Sequence, residues 1–297
     1  MKFCKSFFCL ILILLSTQAP IWAQKKGSAK KKKPVKLTTT VVAPTKPASF
    51  NKVNVVVKPN GISDKIVSSN SLKRLDELIQ QNIAAGAFPG CQIVALKDGE
   101  VIVNKSYGTY NKNGGPAITD TTMFDIASVT KIVSTTLAVM KLYDEGKIGL
   151  KTPISAYLDE LKGTDKEFIR VEQLLLHQGG LKSWIPFHKK AIDTLSGMLN
   201  NQFFRSMKSD SFPIPIASNL FMRPAFKFRI WQEINTSSLD NKGKYVYSDL
   251  DLLYLEKIVE KVSGKRLDAY VYDNFYAPLK LRFTFYNPWI LGLQKQC

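Results

Sequence analysis

Ser128 and Lys131 stand three residues apart in Ser128-Val129-Thr130-Lys131, an S-x-x-K spacing. On a helix this puts a hydroxyl and an amine on one face, close enough to exchange a proton. A neutral amine in that place is a usable base for the hydroxyl proton, which makes the oxygen a nucleophile. Spacing alone does not single out Ser128. With 22 serines and 35 lysines the pattern occurs three times, at Ser28, Ser49 and Ser128, about as often as composition produces by chance. The setting does, because Lys131 is the only charged residue from Val129 to Met140. Burial strips hydration from an ammonium and lowers its pKa, so the sequence predicts a depressed Lys131 that can act as a base. A serine in the first helical turn also sits where backbone amides and the dipole favour developing negative charge. In the competing arrangement Ser128 is only a helix cap and Lys131 snorkels to solvent.

The elements that must hold this pair can be read from periodicity. Ser71 can cap a helix with Leu72, Leu75, Leu78, Ile79 and Ile83 on one face, ending at Gly86. A hairpin follows, with Cys91 to Leu96 and Val101 to Val103 flanking Asp98-Gly99. Ala127 to Glu145 is apolar nearly all round and predicts a buried helix. A short helix is expected at Val171 to Leu176, an irregular insert at 184–245, and a last helix from about Leu250 to Val262 with Gly264 as its stop. The order predicts an α+β fold with an antiparallel sheet and a helical subdomain.

Three stretches in order carry a resemblance. Thr122 to Lys131 resembles the nucleophile segment of serine hydrolases related to class C β-lactamases, penicillin-binding proteins and D-alanyl-D-alanine carboxypeptidases. Gln173-Leu174-Leu175-Leu176-His177-Gln178-Gly179-Gly180-Leu181 is similar to that family's L-L-x-H-x-S-G-L segment, with Gly179 where Ser is common. Tyr247-Ser248-Asp249 stands where the family has Y-x-N, before the expected helix. The resemblance, over about residues 70–286, implies a β-lactamase/transpeptidase-like fold. It implies Ser128 as the acylated nucleophile, Lys131 as its activator and Tyr247 as the proton shuttle to the leaving group. A phenol needs a nearby cation to serve as a base near neutral pH, and Lys131 would supply one. Tyr247 is otherwise a helix-entry aromatic, with Ser248 and Asp251 forming an S-x-x-D cap. His177 is read as structural rather than as a general base.

The chain also departs from the family pattern. Asp249 replaces an amide donor with a negative charge on the substrate-binding side, which disfavours substrates bearing a carboxylate there and so disfavours β-lactams. After Asp249 there is no His and no K-x-G, so the third motif (K-T-G or H-x-G) and its oxyanion donor are expected to be missing, together with the C-terminal strands. Losing one such donor costs about 10² to 10³ in rate. The alternative to an ester- or amide-cleaving hydrolase is therefore a non-catalytic, truncated remnant or peptidoglycan-binding module of the same fold.

The formal charge of +18 over 297 residues says little about the site. The first 63 residues hold 12 of the 42 basic residues and no acid, which leaves 30 against 24 for the rest. Nucleic-acid binding calls for basic clusters within the folded part, and none is evident. Residues 1–23, with Lys2, Lys5, the apolar run Phe7 to Leu15 and Ala23, have the layout of a signal peptide. Export to the periplasm or beyond is expected. Residues 24–63 form a Lys-, Pro- and Thr-rich linker able to touch an anionic envelope weakly. The hydrolase domain is placed at 64–286 and an atypical tail at 287–297. Cys4 and Cys9 leave with the leader, and Cys91 and Cys297 make no disulfide framework. With His177 and His188 as the only histidines, no metal site is expected, and no cofactor. The resemblance implies a small-molecule or peptidoglycan-derived substrate.

Overall fold

The computed structural model describes residues 68–288. The expected signal peptide, the linker through residue 63, Cys297 and most of the expected tail lie outside the described residues. The described chain forms two compact units that divide between Thr122 and Met123.

In the first unit, helix α1 (Ser69–Ala84) is followed by an antiparallel hairpin of β1 (Gly90–Lys97) and β2 (Glu100–Gly108). The helix is capped by Ser68 rather than Ser71. Ser68 has extended backbone, and its hydroxyl accepts the Ser71 N–H at 3.2 Å. Asp98 and Gly99 both have positive φ (51° and 82°), as a two-residue hairpin turn of matching twist requires. On the packed side, Leu72, Val103, Tyr107 and Ile118 are buried. Asp76 of α1 binds Lys105 at 2.8 Å and accepts the Tyr107 hydroxyl at 2.6 Å, tying the helix to β2.

The second unit is mainly helical. A π-helical turn (Lys131–Thr136) leads into α2 (Leu137–Asp144), and after two short 3₁₀ turns comes α3 (Val171–Leu175). The insert then holds α4 (Phe187–Ala191), a small antiparallel sheet of β3 (Phe204–Arg205), β4 (Ile214–Ala217) and β5 (Leu220–Met222) in the order β3-β5-β4, and α5 (Pro224–Thr236). Helices α6 (Asp249–Ser263) and α7 (Leu267–Val271) follow, the last running into a second π-helical turn. Helix α6 is the spine of the core. Leu250, Tyr254, Leu255, Ile258 and Val259 are essentially inaccessible and pack with Ala138, Val139, Leu142, Leu174 and Val271. Each fully buried aliphatic side chain of this kind contributes roughly 1.5–3 kcal/mol, so packing rather than propensity holds α6.

Two expectations are corrected here. The insert is not irregular: its strands, two to four residues long, are too short to display an alternating pattern, and Pro224 opens a helix at its favoured first position. Phe203, Phe204, Met222 and Phe226 make a separate small core there. Nor is the helix after Ser128 buried all round. Ala138, Val139 and Leu142 face the core, whereas Val129, Ile132 and Met140 are more than half exposed among the described residues. Apolar composition told that the helix could be buried, but not on which sides neighbours exist.

Candidate active site

Ser128 is positioned by a strained entry into its helix. Ala127 has φ of 43°, a left-handed conformation costly for a residue with a side chain, and its N–H is held by Asp125 Oδ1 at 2.8 Å. Helical structure begins at Val129, so Ser128 stands at the entrance and is exposed rather than inside the first turn. The amine of Lys131 donates to Ser128 Oγ at 2.8 Å. The π-helical turn that starts with Lys131 is braced from behind, where Tyr276 donates its hydroxyl to Val133 O at 3.1 Å and Ser134 pairs with the Tyr286 hydroxyl.

Tyr247 arrives on an extended segment that runs against residues 177–183, and Asp249 opens α6 directly after it. Val246 N–H donates to His177 O (2.9 Å), Gly243 N–H to Gln178 O (3.0 Å), Asp240 N–H to Gly180 O (2.7 Å) and Asp249 N–H to Ser183 O (2.8 Å). Gly180 is required in this pairing: it has φ of 82°, and a Cβ there would lie 2.9 Å from Lys242 Cα. The Ser183 hydroxyl donates to Tyr247 O at 2.7 Å, and the Ser248 hydroxyl donates to Lys182 O at 2.6 Å while accepting Leu250 N–H. Ser248 therefore caps α6, as expected. Asp251 takes no part in that cap and turns inward to His177.

These elements bring Ser128, Lys131, Tyr247 and Asp249 together. Lys131 Nζ lies 2.7 Å from Asp249 Oδ1 and 5.3 Å from the centre of the Tyr247 ring. The Lys131 side chain is only 16% exposed, whereas that of Asp249 is 52% exposed. Burial by itself pulls Lys131 downward, but hydrogen bonds to Asp249 and Tyr247, and their charges, outweigh it and leave Lys131 above the ordinary lysine value. The depressed lysine expected from the apolar helix is thus corrected. The counter-charge comes from 118 residues downstream, beyond anything the local pattern contains.

His177 sits under this assembly in a left-handed conformation (φ 54°). Its ring packs on Tyr247 at 4.7 Å between centroids and edge-on to Tyr245 at 6.0 Å. Its Nδ1 lies 2.8 Å from Asp251 Oδ2 and receives the Ser248 N–H at 3.2 Å. The structural part expected of His177 fits these contacts. The sequence reading missed Ser183 and the inward role of Asp251. A signal for Asp251 existed: it stands three, four and seven residues before Tyr254, Leu255 and Ile258, on the buried stripe of α6. Among the described residues no group of three or more His, Cys, Asp or Glu is placed to hold a metal.

Comparison with known proteins adds an independent set of observations. The beta-lactamase family model matches residues 75–294, which includes all of the side chains above and continues into the stretch from 287 onward. An N-acetylmuramyl-L-alanine amidase from Bacillus subtilis (strain 168) is 33% identical over 271 residues, 85% of this chain and 55% of the relative. A protein from Escherichia coli O157:H7, provisionally named a D-alanyl-D-alanine carboxypeptidase, is 30% identical over 240 residues, 76% of this chain and 49% of the relative. The chain spans about half the length of these curated relatives. Among solved structures, the octameric penicillin-binding protein homologue from Pyrococcus abyssi matches with a TM-score of 0.53 at 26% identity, over 70% of this chain and 43% of its own.

Proposed function

This chain belongs to the beta-lactamase family and shares its fold, and on that footing we propose that it is an exported serine hydrolase acylated on Ser128. The observation that carries this reading is the position of Lys131 Nζ, bonded at once to Ser128 Oγ and to Asp249 while lying against the Tyr247 ring. Ser128 Oγ attacks the substrate carbonyl, and its proton passes to the Lys131–Tyr247 pair. Tyr247 delivers a proton to the departing amine or alkoxide, and water then hydrolyses the ester formed on Ser128. The names of the relatives, an N-acetylmuramyl-L-alanine amidase and a protein provisionally assigned to D-alanyl-D-alanine carboxypeptidases, support a cell-wall peptide as the substrate class. Asp249, half exposed beside Ser128, repels a substrate carboxylate placed against it and so disfavours β-lactams relative to neutral esters and amides. The leader of residues 1–23 supports delivery to the periplasm or the cell exterior, and the lysines of the linker support weak contact with anionic envelope.

A second reading, a peptidoglycan-binding module without turnover, is favoured by the Asp249 charge that holds Lys131 protonated. Labelling by a neutral fluorophosphonate separates the two. The hydrolase reading expects covalent labelling that disappears in Ser128→Ala, whereas labelling that survives that substitution removes Ser128 from the role. Binding of peptidoglycan fragments without labelling or ester turnover would establish the module instead.

A further inference from the structure

Asp251 is a carboxyl group with a 1% exposed side chain, Oδ2 on His177 Nδ1 and, among the described residues, no hydrogen-bond partner for Oδ1. A buried carboxylate with one bond and a bare anionic oxygen is costly, whereas a carboxylic acid leaves only a neutral carbonyl oxygen unpaired. Nδ1 decides between them. It has a single in-plane position, and both Asp251 Oδ2 (2.8 Å) and the Ser248 N–H (3.2 Å) converge on it. If Nδ1 carried a proton for a carboxylate, the Ser248 N–H would face another N–H. If Nδ1 is bare, its one lone pair faces only donors, the Asp251 O–H and the Ser248 N–H, which share it in a three-centre bond.

We propose that Asp251 and His177 form a neutral acid–imidazole pair that positions Tyr247, with the Asp251 O–H donating to Nδ1 and the imidazole proton fixed on Nε2. The pair holds both ends of the Tyr247 peptide neighbourhood: the His177 ring lies against the phenol ring, and Nδ1 and the His177 carbonyl fix Ser248 and Val246 on either side. Asp251 and His177 are positioning residues, acting on the reaction only through Tyr247, and the inference rests on the role proposed above for that tyrosine. Burial pushes Asp251 up to about 8. Burial, and then the charge of Lys131, hold His177 below the ordinary imidazole value, against a smaller upward pull from Asp249. Among the described residues the rings of Tyr245 and Tyr247 also face His177, and Asp251 Oδ1 lies beside Gly179, where the side chains of Leu174 and Ile169 also approach. Ionisation of Asp251 places an anion against the Nδ1 lone pair, forces the other tautomer and strips Ser248 of its acceptor. Acylation is therefore expected to fall above about pH 8.

The test compares fluorophosphonate labelling rates of the full chain between pH 6 and 10 for wild type, Asp251→Asn and Asp251→Leu. It is combined with ¹⁵N NMR of the His177 ring in the wild type. The asparagine amide donates to Nδ1 as the acid does but does not titrate. Asp251→Asn should label within about twofold of wild type at pH 7 and lose the alkaline fall, whereas Asp251→Leu should label at least tenfold more slowly. The imidazole should carry its proton on Nε2 at pH 7. An Nδ1–H or doubly protonated ring overturns the proposal, as does an Asp251→Asn protein as slow as Asp251→Leu. If Asp251→Leu does not fold, the ring tautomer and the asparagine profile still decide. Absence of wild-type labelling at every pH would count against the hydrolase, and the tautomer would then judge the pair by itself.

Discussion

Replacing Asp249 by Asn removes the carboxylate that lies 2.7 Å from Lys131 Nζ. In a dry interior such a pair would be worth many kcal/mol, but the Asp249 side chain is 52% exposed and water screens it. About 1 kcal/mol of differential stabilisation of the ammonium is the appropriate scale. At about 1.4 kcal/mol per factor of ten, losing it raises the share of neutral amine roughly fivefold wherever Lys131 is mostly protonated. The assay is the second-order rate of Ser128 labelling by a neutral fluorophosphonate as a function of pH. Asp249→Asn should be roughly fivefold faster at pH 7, with the two curves converging as the lysine of the wild type deprotonates at high pH. Lys131→Met should remove most of the rate in both backgrounds. An Asp249→Asn protein that is folded yet slower than wild type at every pH would overturn this expectation, because the carboxylate would then be needed rather than inhibitory.

Other expectations follow from the buried groups. Asp251 is raised in the folded chain, so its contribution to stability is complete below its unfolded value and is lost as pH rises through about 8. His177 is lowered and acts only as pH falls through its ordinary value near 6.5. Between about pH 6.5 and 8, urea titrations should therefore show wild-type stability falling by up to about 1.4 kcal/mol per pH unit relative to Asp251→Asn; parallel profiles would contradict a protonated Asp251. Gly179 offers a second probe, because a Cβ there meets Asp251 Oδ1 and Leu174 Cδ2 at 3.2 Å and Ile169 Cγ2 at 3.4 Å. Gly179→Ala adds only crowding, whereas Gly179→Ser adds a hydroxyl beside the unpaired Oδ1. The serine variant should be about 1 kcal/mol more stable than the alanine variant by denaturant unfolding, and equal stabilities would mean that Oδ1 is not reached.

What the sequence made legible was whatever rests on local pattern. The Asp98-Gly99 turn, the α6 helix from its Ser248 cap to Gly264, and the approach of Lys131 to Ser128 all follow from residues a few positions apart. The charge state of Lys131 was not legible, since its apolar helix argues for a lowered value and the opposing carboxylate arrives from α6. The open side of the helix after Ser128 was hidden for a related reason: hydropathy records what a face can tolerate, not what covers it. The short strands of the insert fall below the length at which alternation can be read. Asp251 lay between these cases, visible as a carboxylate on an apolar stripe but interpretable only once His177 stood opposite.

The most direct measurement is intact-protein mass spectrometry after fluorophosphonate treatment, followed by peptide mapping of the adduct. One added phosphonyl group per chain is expected, located on Ser128 and absent from Ser128→Ala and Lys131→Met. An adduct on any other residue, or a folded wild-type chain that gains no mass while relatives treated in parallel do, would contradict it.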